Sequence, residues 1–177
     1  MKNKPVQLIL SLSLILIVLC SPQCKKNVDE LFKLPPITQT GSNTFGCLVN
    51  GKAWVPKGND GPNPNLRVIV DPSDSLIDIR AYSIENGKKT DIFFGSNITK
   101  STGIFPFQVK GKVSLGIFRI NSCYIASGDS VYRRGNLQIT KYDLQNGILS
   151  GQFDCVIYAP GCTDTVRITN GRFDKKL

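Results

Sequence analysis

Asn-Gly pairs set between short apolar runs constrain this chain more than any other feature. Asn50-Gly51 divides TFGCLVNGKAWVP, Asn86-Gly87 divides LIDIRAYSIENGKKTDIFFG, and Asn146-Gly147 divides LQITKYDLQNGILSGQFD. A type I′ turn needs positive φ at both central residues, which Asn and Gly tolerate best. Its twist matches that of an antiparallel two-stranded ribbon. The flanking residues agree: Ile77, Ile79 and Ala81 alternate with Asp78, Arg80 and Tyr82, the period of a strand buried on one face. LRVIVDP reads as a short strand ended by Pro72. Residues 104–109 and 112–120 read as a pair around Lys110-Gly111, and another strand begins at Cys123. TDTVRITNGRFDKKL reads as the last strand, with Gly171 at a bulge. No window holds a sustained 3.6-residue apolar period. The expected fold is all-β, a single antiparallel meander over residues 44–177. One face must be buried, either in a sandwich or in a closed barrel.

The N-terminus reads differently. Lys2 and Lys4 precede an apolar run from Val6 to Leu19, and Ser21-Pro22 follows. The run falls short of the about 20 residues of a membrane-spanning helix and has the layout of a secretory signal peptide over residues 1–23. A cysteine just beyond such a run suggests lipoprotein processing, in which the thiol is acylated and becomes the new N-terminus. Cys24 is the preferred acceptor, because Ser21-Pro22 breaks the apolar run and Lys25-Lys26 begins a polar stretch; Cys20 is the alternative. Residues 24–43, with Pro35-Pro36 and no periodicity, read as the acylated cysteine and a flexible tether.

The remaining cysteines are Cys47, Cys123, Cys155 and Cys162. An even number in an exported chain argues for disulfides. A Cys155–Cys162 bridge fits poorly with a tight turn between the two, so a long-range pairing of Cys162 with Cys123 or Cys47 is preferred. Zinc is not expected, since the domain has no Cys-x-x-Cys pair and the chain has no histidine.

The missing histidine also removes Ser-His-Asp and Cys-His activation. The few acids of the domain sit around turns, in or near strands and at strand ends, and no glycine-rich loop opens a helix. No catalytic residue, cofactor or metal is expected, and the chain is not read as an enzyme. The net charge of +9 is spread over single cations and pairs without a dense run, which suits solubility. Nucleic acid is not an expected partner. Trp54, the only tryptophan, is a core residue or a stacking surface for a ligand. Arg172-Phe173-Asp174 reads as a local Arg–Asp pair around an inward Phe173.

TQTGSNTFGCLVNGKAWVP, GNLQITKYDLQNGILSGQFD and VRITNGRFD together resemble small lipoproteins of unknown function from the Bacteroidota. The resemblance covers most of residues 38–174. It implies an exported all-β domain and acylation at the Cys24-Lys25-Lys26 start, and it carries over no catalytic residue. The expected location is the bacterial cell envelope, at the outer membrane, through the acylated cysteine. Two functions are expected side by side. One is a non-catalytic binding or structural module that meets an envelope protein or a glycan. The other is a small-ligand carrier, with Trp54 or Phe93-Phe94 lining an apolar pocket inside a closed barrel.

Overall fold

The computed structural model describes residues 30–97, 101–107, 113–116, 118–120, 123–125, 132–158 and 165–177. Strands follow one another as β1 (Thr44–Val49), β2 (Lys52–Trp54), β3 (Leu66–Asp71), β4 (Leu76–Glu85), β5 (Lys88–Asn97) and β6 (Gly103–Pro106). They continue as β7 (Val113–Gly116), β8 (Phe118–Ile120), β9 (Cys123–Ile125), β10 (Tyr132–Asp143), β11 (Ile148–Tyr158) and β12 (Val166–Lys176). Sheet A has the order β2-β1-β12-β11-β10-β6, sheet B the order β3-β4-β5-β7, and β8 pairs with β9. Every strand pairing within these sheets is antiparallel. The sheets do not close on themselves, so the fold is an all-β sandwich rather than a barrel.

The turn chemistry explains the local pairing. Asn50 and Gly51 have φ of 49° and 79°, and Asn86 and Gly87 have 51° and 72°, as type I′ turns require. The third Asn-Gly hairpin differs from expectation. Asp143 pairs with Ile148, only Gly147 takes a positive φ, and its amide donates to the carbonyl of Leu144 at 3.2 Å. Asp143 makes the longer loop, because its carboxylate accepts both the amide N–H and the side-chain amide of Asn146 at 2.9 Å each. The pairing of residues 104–109 with 112–120 is corrected as well: β6 joins β10, while β7 joins β5. The core supplies the reason. Against β10, Phe105 lies opposite Leu137 and the chain continues to Phe107, which is buried.

Inward side chains of both sheets meet in one filled core. Phe94 of sheet B lies 4.7 Å from Phe153 of sheet A, and Phe45 lies 5.2 Å from Phe153 and 6.2 Å from Phe94. Burying each such ring contributes about 1.5–3 kcal/mol. Phe93 and Phe94 therefore face opposite ways: Phe94 fills the core, and Phe93 lies outside beneath Arg80.

Residues 30–43, expected as free tether, are docked on the domain. Glu30 accepts the amide of Ala53 on the edge strand β2 at 2.7 Å, and Leu34 is buried. Gly46 leaves room for this segment, since a Cβ there would come 2.7 Å from Cδ of Pro35. Residues 38–42 then wrap the buried carboxylate of Asp174. Thr38 Oγ donates to it at 2.7 Å, and the amides of Thr40, Gly41 and Ser42 donate at 3.0, 2.8 and 3.1 Å. The strap lies across the outer face of sheet A at its β1–β12 end.

Candidate functional site

Each sheet carries a concavity on its outer face, and their polar groups differ in one decisive respect. The larger, about 370 Å³, lies over β4 and β5 beneath the loop 56–65. Apart from Arg67, its charges are paired within the protein. Arg80 forks onto Asp78, with its Nε at 2.9 Å from one carboxylate oxygen and its Nη2 at 2.7 Å from the other, and it lies 5.3 Å over the Phe93 ring. Lys89 binds Asp60 at 2.5 Å, stands 3.7 Å from Asp91 and lies 4.6 Å over the Tyr82 ring. The hydroxyl of Tyr82 accepts the amide of Asp60 at 3.0 Å and donates to the carbonyl of Asn63 at 2.9 Å. The hydrogen bond to Asp78 raises the pKa of Arg80, and the one to Asp60 raises that of Lys89. This network staples a loop to a sheet. It offers a ligand few unused groups.

The smaller concavity, about 270 Å³, is built from the outward positions of β10, β11 and β12. Register sets its rows. Asn136 lies opposite Asp154, and Gln138 opposite Gln152, which is itself opposite Arg172. Arg134, Val156 and Arg167 form the next row, and Tyr132 lies opposite Tyr158 beyond it. Two backbone devices hold the rows in place. Gly135 has φ of 142°, and a Cβ there would stand 2.1 Å from the carbonyl oxygen of Asp154. Asn170 takes φ of 54° at a bulge in β12 that breaks register between Phe153 and Cys155, so Gly171 sits at the expected irregularity. Among the described residues, the side chains of Arg134, Asn136, Gln138, Gln152, Asp154, Arg167 and Asn170 make no hydrogen bond or ion pair. Their donors and acceptors are free for a ligand.

The residues singled out in the sequence fall elsewhere. Trp54 is half-buried, edge-on to Phe45 at 5.8 Å, and its indole N–H donates to Thr90 Oγ of β5 at 2.9 Å. It joins the two sheets. Arg172 does not pair with Asp174. It donates to the carbonyls of Asn170 at 3.1 Å and Pro35 at 3.3 Å, while Phe173 packs inward as expected.

Cys47 and Cys155 stand as free thiols, while the expected pairing of Cys162 with Cys123 or Cys47 falls on Cys162, outside the described residues. β12 lies between their strands, a separation of about 10 Å and beyond the about 7 Å Cα reach of a bridge. Burial pushes the thiol of Cys155 up to about 12 and that of Cys47 higher still, so neither is a nucleophile at neutral pH. The side chain of Cys123, and all of Cys162, Cys20 and Cys24, lie outside the described residues. Among the described residues, no three Cys, Asp or Glu side chains converge as a metal site would need.

No protein family, curated protein or solved structure matches this chain.

The amide face escaped the sequence reading for a physical reason. Polar residues at every second position are what any solvated strand face carries. What marks this one is the side-by-side placing of Asn136 with Asp154 and of Gln138 with Gln152, which only the register reveals.

Proposed function

We propose that the protein is a lipoprotein of the bacterial cell envelope, held to the outer membrane by acylated Cys24, with Cys20 as the alternative acceptor. Its sandwich domain serves as a non-catalytic binding module. One observation carries the binding part: a row-ordered polar face on β10–β12 whose side chains, Arg172 apart, have no partner among the described residues. A carrier with an apolar pocket in a barrel is less well supported, because the sheets are open and the core between them is filled.

Docking of the strap changes how the anchor works. Only residues 25–29 lie between Cys24 and Glu30, a span of at most about 20 Å. The anchor therefore holds the β2 edge of sheet A near the lipid.

Labelling cells with a palmitate analogue tests the anchor. Label should survive Cys20→Ala and vanish with Cys24→Ala, and an unlabelled intact protein rejects the reading. Native mass spectrometry of the deacylated protein from its own cells tests the module. A co-purifying glycan or envelope protein supports it, and a bare protein counts against it.

A further inference from the structure

The geometry points to an acidic polysaccharide as the ligand of the outer face of sheet A, an inference that rests on the binding-module reading above. Charge comes first. Arg134 and Arg167 flank Val156 in a single row, roughly 10 Å apart at Cα by strand spacing. Neither guanidinium has a carboxylate partner among the described residues. Asp154 is the one acid in the neighbouring row, so the face carries surplus positive charge. Its two planar forks match carboxylate or sulfate groups in bidentate fashion.

The neighbouring groups define what bears those anions. The amides of Asn136, Gln138, Gln152 and Asn170 each offer a donor and an acceptor, the combination that paired hydroxyls satisfy. Tyr132 and Tyr158 lie opposite each other at the end of the rows, 51% and 46% exposed, and aromatic faces of this kind stack on sugar rings. Side chains two residues apart on one face repeat every ~7 Å along a strand, so the rows suit a linear, repeating chain better than a compact molecule. A membrane surface is the weaker occupant. Among the described residues, Ile104 is the one exposed aliphatic side chain in the concavity of the amides, too little to insert into lipid. A folded protein partner would want a buried apolar anchor at the centre of its contact, where this face has amides.

The test uses the full mature chain with its acyl group removed, in detergent-free buffer, titrated by calorimetry with polygalacturonate, chondroitin sulfate, neutral dextran, and vesicles with and without phosphatidylglycerol. Binding of polygalacturonate or chondroitin sulfate is expected, weakening as salt rises. It should drop at least tenfold in Arg134→Gln/Arg167→Gln and in Gln138→Ala/Gln152→Ala, with melting temperatures unchanged. Arg67→Gln, on sheet B, should leave it as it was. Dextran bound as tightly as the acidic chains overturns the acidic assignment while the module reading stands. Binding of anionic vesicles alone, lost with the arginine pair, assigns the face to the membrane and overturns the proposal. Acidic-chain binding that neither double variant weakens moves the site elsewhere and also overturns it. If no member of the panel binds, the proposal falls; the module reading falls with it only if native mass spectrometry also shows the protein bare.

Discussion

Asp174 Oδ1 accepts the hydroxyl of Ser150 at 2.7 Å across the β11–β12 ladder, where the two residues are register partners. Ser150 holds the carboxylate from below while residues 38–42 close over it. Burial alone would raise the pKa of Asp174. The hydrogen bonds from Thr38, Ser42, Ser150 and Thr40 outweigh burial and hold it well below the usual carboxylate range.

Asp174→Ala removes the acceptor of those donors and leaves several of them unsatisfied. A loss of about 3 kcal/mol is expected, read as a lower urea midpoint. The sign of the pH effect follows from the lowered pKa. The carboxylate contributes fully above its unfolded value near pH 4, and the contribution is lost as pH falls from there toward the folded value. The wild-type protein should therefore lose stability more steeply below about pH 4 than Asp174→Asn does. Equal slopes would remove Asp174 from the account.

The two buried thiols give a clean count. Under native conditions at pH 8, iodoacetamide should leave Cys47 and Cys155 unmodified, because both are enclosed in the core and their thiols are pushed up by burial. Non-reducing denaturation should make both alkylatable. Peptide mapping that finds either residue in a disulfide contradicts the arrangement.

Gly135→Ala should be among the most damaging small substitutions. The added methyl would meet the carbonyl of Asp154 at 2.1 Å in a backbone conformation that L-residues rarely adopt. A cost above about 3 kcal/mol, or failure to fold, is expected. Gly61→Ala makes the control, since nothing lies within 4 Å of its Cβ position. Its own φ of 66° limits the cost to about 1 kcal/mol. Thermal melts of the two variants make the comparison.

Trp54 is read as a link between sheets. Thr90→Val should cost about 1 kcal/mol by orphaning the indole N–H and should shift tryptophan emission. Neither Thr90→Val nor Trp54→Phe should alter polysaccharide affinity. A Trp54→Phe variant that melts like wild type but no longer binds glycan would return Trp54 to the ligand site.

Local chemistry was the legible part of this fold. Asn50-Gly51 and Asn86-Gly87 named their turns, and alternation over Ile77–Tyr82 named the buried face, because those choices involve only neighbours in sequence. Pairings that depend on distant partners were not legible. Residues 34–43 look like a polar linker until Asp174, 136 residues beyond Thr38, supplies the acceptor for their donors. Counting cysteines gave an even number but not the intervening strand that keeps Cys47 from Cys155. The candidate site lay in the same blind spot. Asn136 and Gln152 are ordinary surface residues one at a time and become a patterned surface only when β10 and β11 are laid together.

The placing of β12 between β1 and β11 governs the order of folding. A chain that is translated or translocated N-terminus first delivers β1 early, with only the short β2 to pair with. Its other neighbour arrives with the last strand, and the strap cannot close before Asp174 does. Contacts this far apart in sequence form slowly. Sheet A thus withholds its final structure until nearly the whole chain has emerged, and β1 needs protection until its partner arrives.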